Sequence, residues 1–183
     1  MSYMAKGWRH IWLVLLVTAW CAGGSSNAFS ELNTSQIKSA YLFQISKFVF
    51  WPEERKQLEH FNLCLLGSDT YQGNLQKMVG RTVFNRPVRL QSVAKLSQAQ
   101  SCHLLLLSAP SLIDGAELKA WLKQNPVLTV ADGAQSIEKA MVVFVLENQR
   151  VRLHINVDLA RDSGLSFAAN LLEVASKIKK GGQ

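Results

Sequence analysis

Past position 28 the residues that could do chemistry are three histidines, His60, His103 and His154, two cysteines, Cys64 and Cys102, and scattered serines and carboxylates. Zinc binding and general-base catalysis both need partners that converge on one point. His60 precedes an apolar run, His103 opens another, and His154 sits inside an alternating segment, with no HExxH or HxH spacing. Cys102-His103 resembles a thiol–imidazole pair, but neighbours on a strand point to opposite faces. A thiol held in a disulfide is also no nucleophile. No serine lies in a GxSxG elbow. Asp132-Gly133 reads as a turn and Asp158 as a helix N-cap. Leu66-Gly67-Ser68-Asp69 with Gly73 lacks the spacings that bring backbone amides onto phosphates. The chain therefore reads as no enzyme, with no metal and no cofactor.

The cysteines and the N-terminus speak about compartment. Lys6, Arg9 and His10 precede an apolar run, Ile11 to Ala22, followed by small residues up to Ser26-Asn27-Ala28. That order predicts a signal peptide over residues 1–28, cleaved after Ala28. The run is too short to span a bilayer, which takes about 20 residues. Trp20 ahead of Cys21 argues against lipidation. Cleavage leaves one domain, 29–183, with Cys64 and Cys102 as its only thiols, an even count that predicts one disulfide in an oxidising compartment. The whole chain carries +7 and loses Lys6 and Arg9 on cleavage, leaving +5. That charge favours solubility. The basic residues are dispersed, so nucleic acid is not an expected partner.

The pattern next gives the elements. A helix is expected from Thr34 or Ser35, with Ile37, Tyr41, Ile45, Phe48 and Val49 on its apolar face, ending before Pro52. Strands are expected at 61–66, 88–93, 103–107 and 127–130, and helices at 69–79 and 110–123, the latter with Leu112, Ala116 or Leu118, and Leu122 inward. Met141–Leu146 and Arg150–Ile155 around Glu147-Asn148-Gln149 predict a hairpin. A final helix is expected after Ser166, with Phe167, Leu171, Val174, Ala175 and Ile178 inward and Lys177, Lys179 and Lys180 complementing its C-terminal dipole. Together these predict a single α/β domain. Its sheet is mostly parallel, with the antiparallel C-terminal hairpin at the edge and helices on both faces. The fully apolar runs 61–66, 103–107 and 127–130 suit strands buried on both sides.

Phe43, Phe48, Phe50 and Trp51 crowd the end of the first helix. Phe43 and Phe50 lie off its main inward face, so one of them is a candidate exposed contact.

Several segments resemble the YfiR family of periplasmic regulatory proteins. They are Ala40-Tyr41-Leu42-Phe43-Gln44-Ile45-Ser46-Lys47-Phe48-Val49-Phe50-Trp51-Pro52, Phe61 to Gly67, Cys102 to Ser108, Leu128 to Asp132, and Arg150 to Asn156 with Ala160, Gly164-Leu165 and Leu171-Leu172. The resemblance covers nearly all of the chain past the leader, in order. It implies a periplasmic, non-enzymatic protein that restrains a membrane-anchored diguanylate cyclase, or another sensor, by binding its periplasmic domain. Cyclic-di-GMP output and biofilm formation would follow. Lys139-Ala140, Ala168-Ala169 and the single cysteine pair depart from the family pattern and bear on which partner is bound. The expected contact surface combines the Phe43–Trp51 helix end with 157–172, with Phe43, Phe50, Asp158, Arg161 and Asp162 as candidates. A homodimer is compatible with this reading. The alternative is a periplasmic small-ligand binder using the crevice near Gly67, Ser108 and Ala131.

Overall fold

The computed structural model describes residues 26–181, with side chains from Thr34 onward. The expected leader and its cleavage point lie outside the residues whose side chains are described. One compact unit starts at Thr34.

Five strands form the parallel centre: β2 (Phe61–Leu66), β4 (Arg86–Val93), β5 (Leu104–Leu107), β6 (Leu128–Asp132) and β7 (Val142–Glu147). Their spatial order is β4-β2-β5-β6-β7. The first strand of the set thus lies second, and the order reverses between β2 and β5. Such a reversal point is where open α/β sheets form a crevice at the strands' carboxyl ends. β2 and β5 pair in register, Leu63 with Leu104 through Leu66 with Leu107. Their side chains are buried along almost the whole length, as expected for strands covered on both faces.

The expected hairpin is present. β8 (Arg150–Asn156) runs antiparallel to β7, and its two-residue turn, Asn148-Gln149, has both φ angles positive. A second two-residue turn, Phe84-Asn85, also with both φ positive, joins β3 (Thr82–Val83) to β4.

Four segments differ from expectation. The first helix, α1, runs Ser26–Ile45 rather than starting at Thr34 or Ser35, and a 3-10 turn follows over Ser46–Phe48. Its buried face holds Ser35, Ser39, Leu42, Phe43 and Ile45, continued by Ser46 of the turn, while Ile37 and Tyr41 are exposed. The serines explain the rotation. Ser39 and Ser46 return their hydroxyls to the carbonyls of Gln36 and Leu42, each at 2.8 Å, so small polar residues pack inward without an orphaned donor.

Residues 69–79 make no α-helix. Asp69 accepts from the amides of Tyr71 at 2.7 Å and Gly73 at 2.9 Å, and only a 3-10 turn, Asn74–Met78, follows. The helix expected from Pro110 begins at Gly115 (α3, Gly115–Gln124). Asp114 caps it through the Glu117 amide at 2.8 Å. Leu112 therefore precedes the helix and is 85% exposed rather than inward.

The C-terminal segment is broken into three pieces. β9 (Ser166–Phe167) pairs antiparallel with β1 (Val49–Phe50). A five-residue helix, Ala169–Glu173, follows. β10 (Lys177–Lys179) then runs parallel to β8, outside the hairpin. Val174 and Ile178 are exposed, not inward. Lys177 and Lys179 sit on a short edge strand instead of a helix end, with Lys180 just past it, where charge discourages pairing with another chain.

Candidate functional site

The Cys64–Cys102 disulfide forms, with Cα atoms 5.9 Å apart. It ties the middle of β2 to the loop that enters β5, and both cysteines are fully buried. Next to it lies a buried polar knot. Arg55, on the short helix α2 (Glu53–Lys56), donates to the carbonyls of Gln100 and Cys102. The carbonyl of Arg55 accepts from His103 Nε2 at 2.9 Å and from Arg86 Nη1 at 3.0 Å. On its other side His103 Nδ1 accepts the Asn62 amide at 3.1 Å. Those two bonds fix the neutral Nε2–H tautomer. Burial, with the Arg86 and Arg55 charges nearby, pushes the imidazole down to about 4, although its bond to the Arg55 carbonyl works the other way. His103 is thus a structural histidine stacked on Phe61 at 4.6 Å.

The end of α1 and residues 166–168 are joined by a short ribbon. β1 follows the end of α1 directly, and its pairing with β9 joins Val49 to Phe167 and Phe50 to Ser166. The Ala168 amide adds a bond to the Phe48 carbonyl at 2.9 Å. Of the 157–172 region, residues 166–168 therefore lie against the helix end, distant in sequence. Of the two aromatic candidates, Phe50 is 61% exposed and Phe43 only 4%. Phe43 belongs to the core, its ring covered by Lys47 Nζ at 4.4 Å and the Arg81 guanidinium at 3.8 Å.

Asp158, Arg161 and Asp162 lie on α4 (Val157–Asp162). Its N-cap is Asn156, through the Leu159 amide at 3.0 Å, rather than Asp158. Arg161 pairs with Asp158 at 2.9 Å, and its Nε lies 3.7 Å from Asp162. Asp158 also accepts the Gly181 amide. Arg161 and Asp162 are exposed. Gly164, at φ +75°, turns the chain from α4 towards β9.

A cavity of about 280 Å³ opens beside Phe50, walled by Trp51, Phe84, Lys56, Arg86 and His103. Phe84 and Arg86 escape the sequence reading, because β3 and its turn carry only a weak signal, a Phe-Asn pair where hairpins prefer Asn-Gly.

The crevice expected at the sheet's carboxyl end is a wider groove of about 640 Å³. Gly67, Lys95, Leu112, Asp114 and Glu117 are among its walls. Its Ala131 side is closed. Ala131 is buried, and Asp132 is held by Lys38 at 3.0 Å, with the Tyr71 hydroxyl 3.5 Å away. Burial, and then the Asp132 charge, push the Tyr71 phenol strongly up. Among the described residues no three histidine, cysteine or carboxylate side chains cluster as a metal site would require. No described helix is long and apolar enough to cross a membrane.

The sequence model of a family described as YfiR/HmsC-like matches residues 35–176. No curated protein matches. Among solved structures, a conserved domain protein from Vibrio cholerae O1 biovar El Tor is similar at 10% identity and a TM-score of 0.47. The match covers 77% of this chain and 60% of that one.

Proposed function

The chain belongs to the YfiR/HmsC-like family, and from that premise we propose that it is an exported, non-catalytic regulator. In this reading it binds the periplasmic domain of a membrane-anchored signalling protein, a diguanylate cyclase, and restrains it. The observation that carries the reading is the β1–β9 ribbon, which holds an aromatic residue, Phe50, 61% exposed, in a short backbone pairing. Interface hot spots are enriched in aromatic and arginine anchors set inside a polar rim. Phe50 and Arg161 are the anchors proposed here, with Asp158 and Asp162 as rim.

The test compares Phe50→Ala with Phe43→Ala. The first should leave thermal stability nearly unchanged and raise cellular cyclic-di-GMP towards the level of the deletion strain. The second should cost about 3–5 kcal/mol of stability, as for a buried phenylalanine. A deletion that leaves cyclic-di-GMP unchanged under envelope stress, with no membrane partner recovered by cross-linking, overturns the proposal.

The rival reading, a small-ligand binder, draws support from the groove at the strand-order reversal. Its charged walls are of both signs, Lys95 against Asp114 and Glu117, and Asp114 is already committed to capping α3. The protein-contact reading is therefore preferred.

A further inference from the structure

The cavity beside Phe50 has a chemistry of its own. Its charged walls are Lys56 and Arg86, and no carboxylate lines it. Lys56 spends part of its charge on Glu53 at 2.6 Å, an exposed pair of the kind that holds weakly. Arg86 donates to the Arg55 carbonyl and has no carboxylate partner among the described residues. Trp51 forms a buried wall, edge-on to Phe84 at 6.1 Å and to His103 at 6.0 Å. Its indole N–H finds no acceptor among the described residues. The side-chain donors left over here outnumber the acceptors.

The mouth is apolar. Phe50 is 61% exposed and Phe84 49% exposed. Phe84 sits at φ +48° and Asn85 at φ +61° in the turn between β3 and β4. That backbone favours Asn-Gly and is rarely given to a bulky aromatic. The chain thus holds a phenylalanine at the rim where conformation alone would choose a smaller residue. At about 280 Å³ the cavity falls just below the range of roughly 300–1,000 Å³ that takes drug-sized ligands, and it suits a single large side chain.

We propose that this cavity is the socket for one aromatic or branched apolar side chain of a partner protein, presented between acidic residues that meet Lys56 and Arg86. The assignment rests on the regulator reading above and deepens it, by naming what the partner must carry: an acidic segment with a central apolar knob. Phe50 and Phe84 clasp the knob, and the two cations select the acidic flanks and fix their register.

The test uses protein purified from the periplasm carrying Trp121→Phe. Trp51 is then the only tryptophan past residue 28 and reports on the socket by fluorescence. The probes are blocked peptides with a central phenylalanine flanked by glutamates, by glutamines or by lysines. Expected is a saturable Trp51 response to the glutamate peptide, at least tenfold tighter than to the glutamine peptide and absent with the lysine peptide. It should weaken in 0.5 M salt, by about tenfold in Lys56→Gln and by more in Phe50→Ser. Lys56 is substituted rather than Arg86 because Arg86 donates into the Arg55 knot, and unchanged melting temperatures confirm that each variant is folded. No saturable response at millimolar peptide, or equal binding of all three peptides, overturns the proposal. So does a free aromatic carboxylate, phenylacetate, binding as tightly as the glutamate peptide, which would make the occupant a small molecule. The two readings fail separately. Peptide binding in a strain whose cyclic-di-GMP ignores the deletion sinks the regulator reading alone. A cyclic-di-GMP effect without peptide binding sinks the socket alone.

Discussion

His103 concentrates the electrostatics of this domain in one side chain. It must be neutral, since Nδ1 already accepts the Asn62 amide and Arg55 and Arg86 stand nearby. Its folded value of about 4 lies below the ordinary 6.5. Between those limits the unfolded chain holds a proton that the folded chain does not. Stability therefore falls as the pH drops from 6.5 towards 4, and the loss is complete only below the folded value. At about 1.4 kcal/mol per unit the full shift corresponds to an upper limit of about 3–4 kcal/mol. Urea unfolding between pH 7 and 4 should show this decline. His103→Gln should be less stable at pH 7, having lost a bond to Arg55 or Asn62, and its stability should change less with pH by up to one proton's worth. Equal slopes in the two proteins would remove His103 from the account. The sequence already marks His103 as structural and the two cysteines as a pair. What it does not reveal is the companion residue. Arg55 looks like part of a charged surface turn, and only the fold shows its guanidinium turned inward to cover the carbonyls of Gln100 and Cys102.

Among the elements, the strands were legible and the helices less so, for a physical reason. β2 and β5 declare themselves because strands buried on both faces tolerate almost nothing but apolar residues, and the β7–β8 hairpin because an apolar arm and an alternating arm flank a polar turn. The segment 166–179 has an equally good helical periodicity, yet it becomes a strand, a short helix and a strand. The outcome is decided elsewhere. β1 and the outer side of β8 offer unpaired backbone, and pairing with β9 and β10 satisfies it. Of the first helix's expected face, Ile45 and Val49 are buried and Phe48 packs on the core, while Ile37 and Tyr41 are exposed, because three inward serines carry no hydrophobic signal. The same logic isolates a local weakness. Gln149 sits at φ +61° in the β7–β8 turn, a position where left-handed backbone costs an ordinary residue about 1–2 kcal/mol. Gln149→Gly should recover part of that and raise stability by about 0.5–1 kcal/mol, read as a higher urea midpoint with an unchanged slope. A lower midpoint would mean that the Gln149 side chain contributes something the turn geometry does not show.

At the scale of the whole molecule, stability should be graded outward from the disulfide. Cys64 lies in the middle of β2, and Cys102 precedes β5 across a sequence separation of 38 residues. Closing a loop of that length restricts the unfolded chain by about 4 kcal/mol in the chain-entropy account. The benefit reaches every element that opens only when the central sheet opens. β2, β5 and β6 are flanked by strands on both sides and buried almost throughout, so their amides should exchange only through global unfolding. The β1–β9 ribbon is different. Each of its strands has two residues, and it stands apart from the eight-stranded sheet, so it can open locally at a smaller free energy. β10, three residues long at the outer edge, should behave in the same way. Hydrogen exchange on the oxidised protein and on the Cys64→Ala, Cys102→Ala double variant tests this directly. Removing the disulfide should lower the protection of β2, β5 and β6 together, by an amount matching the loss in urea stability. Protection of β1, β9 and β10 should change little. If the ribbon were protected as strongly as β5 and fell with it, ribbon and sheet would be one cooperative unit. A partner seated at Phe50 would then act on the whole domain, whereas the pairing pattern points to its ordering a locally opening ribbon and slowing exchange in β1 and β9 first.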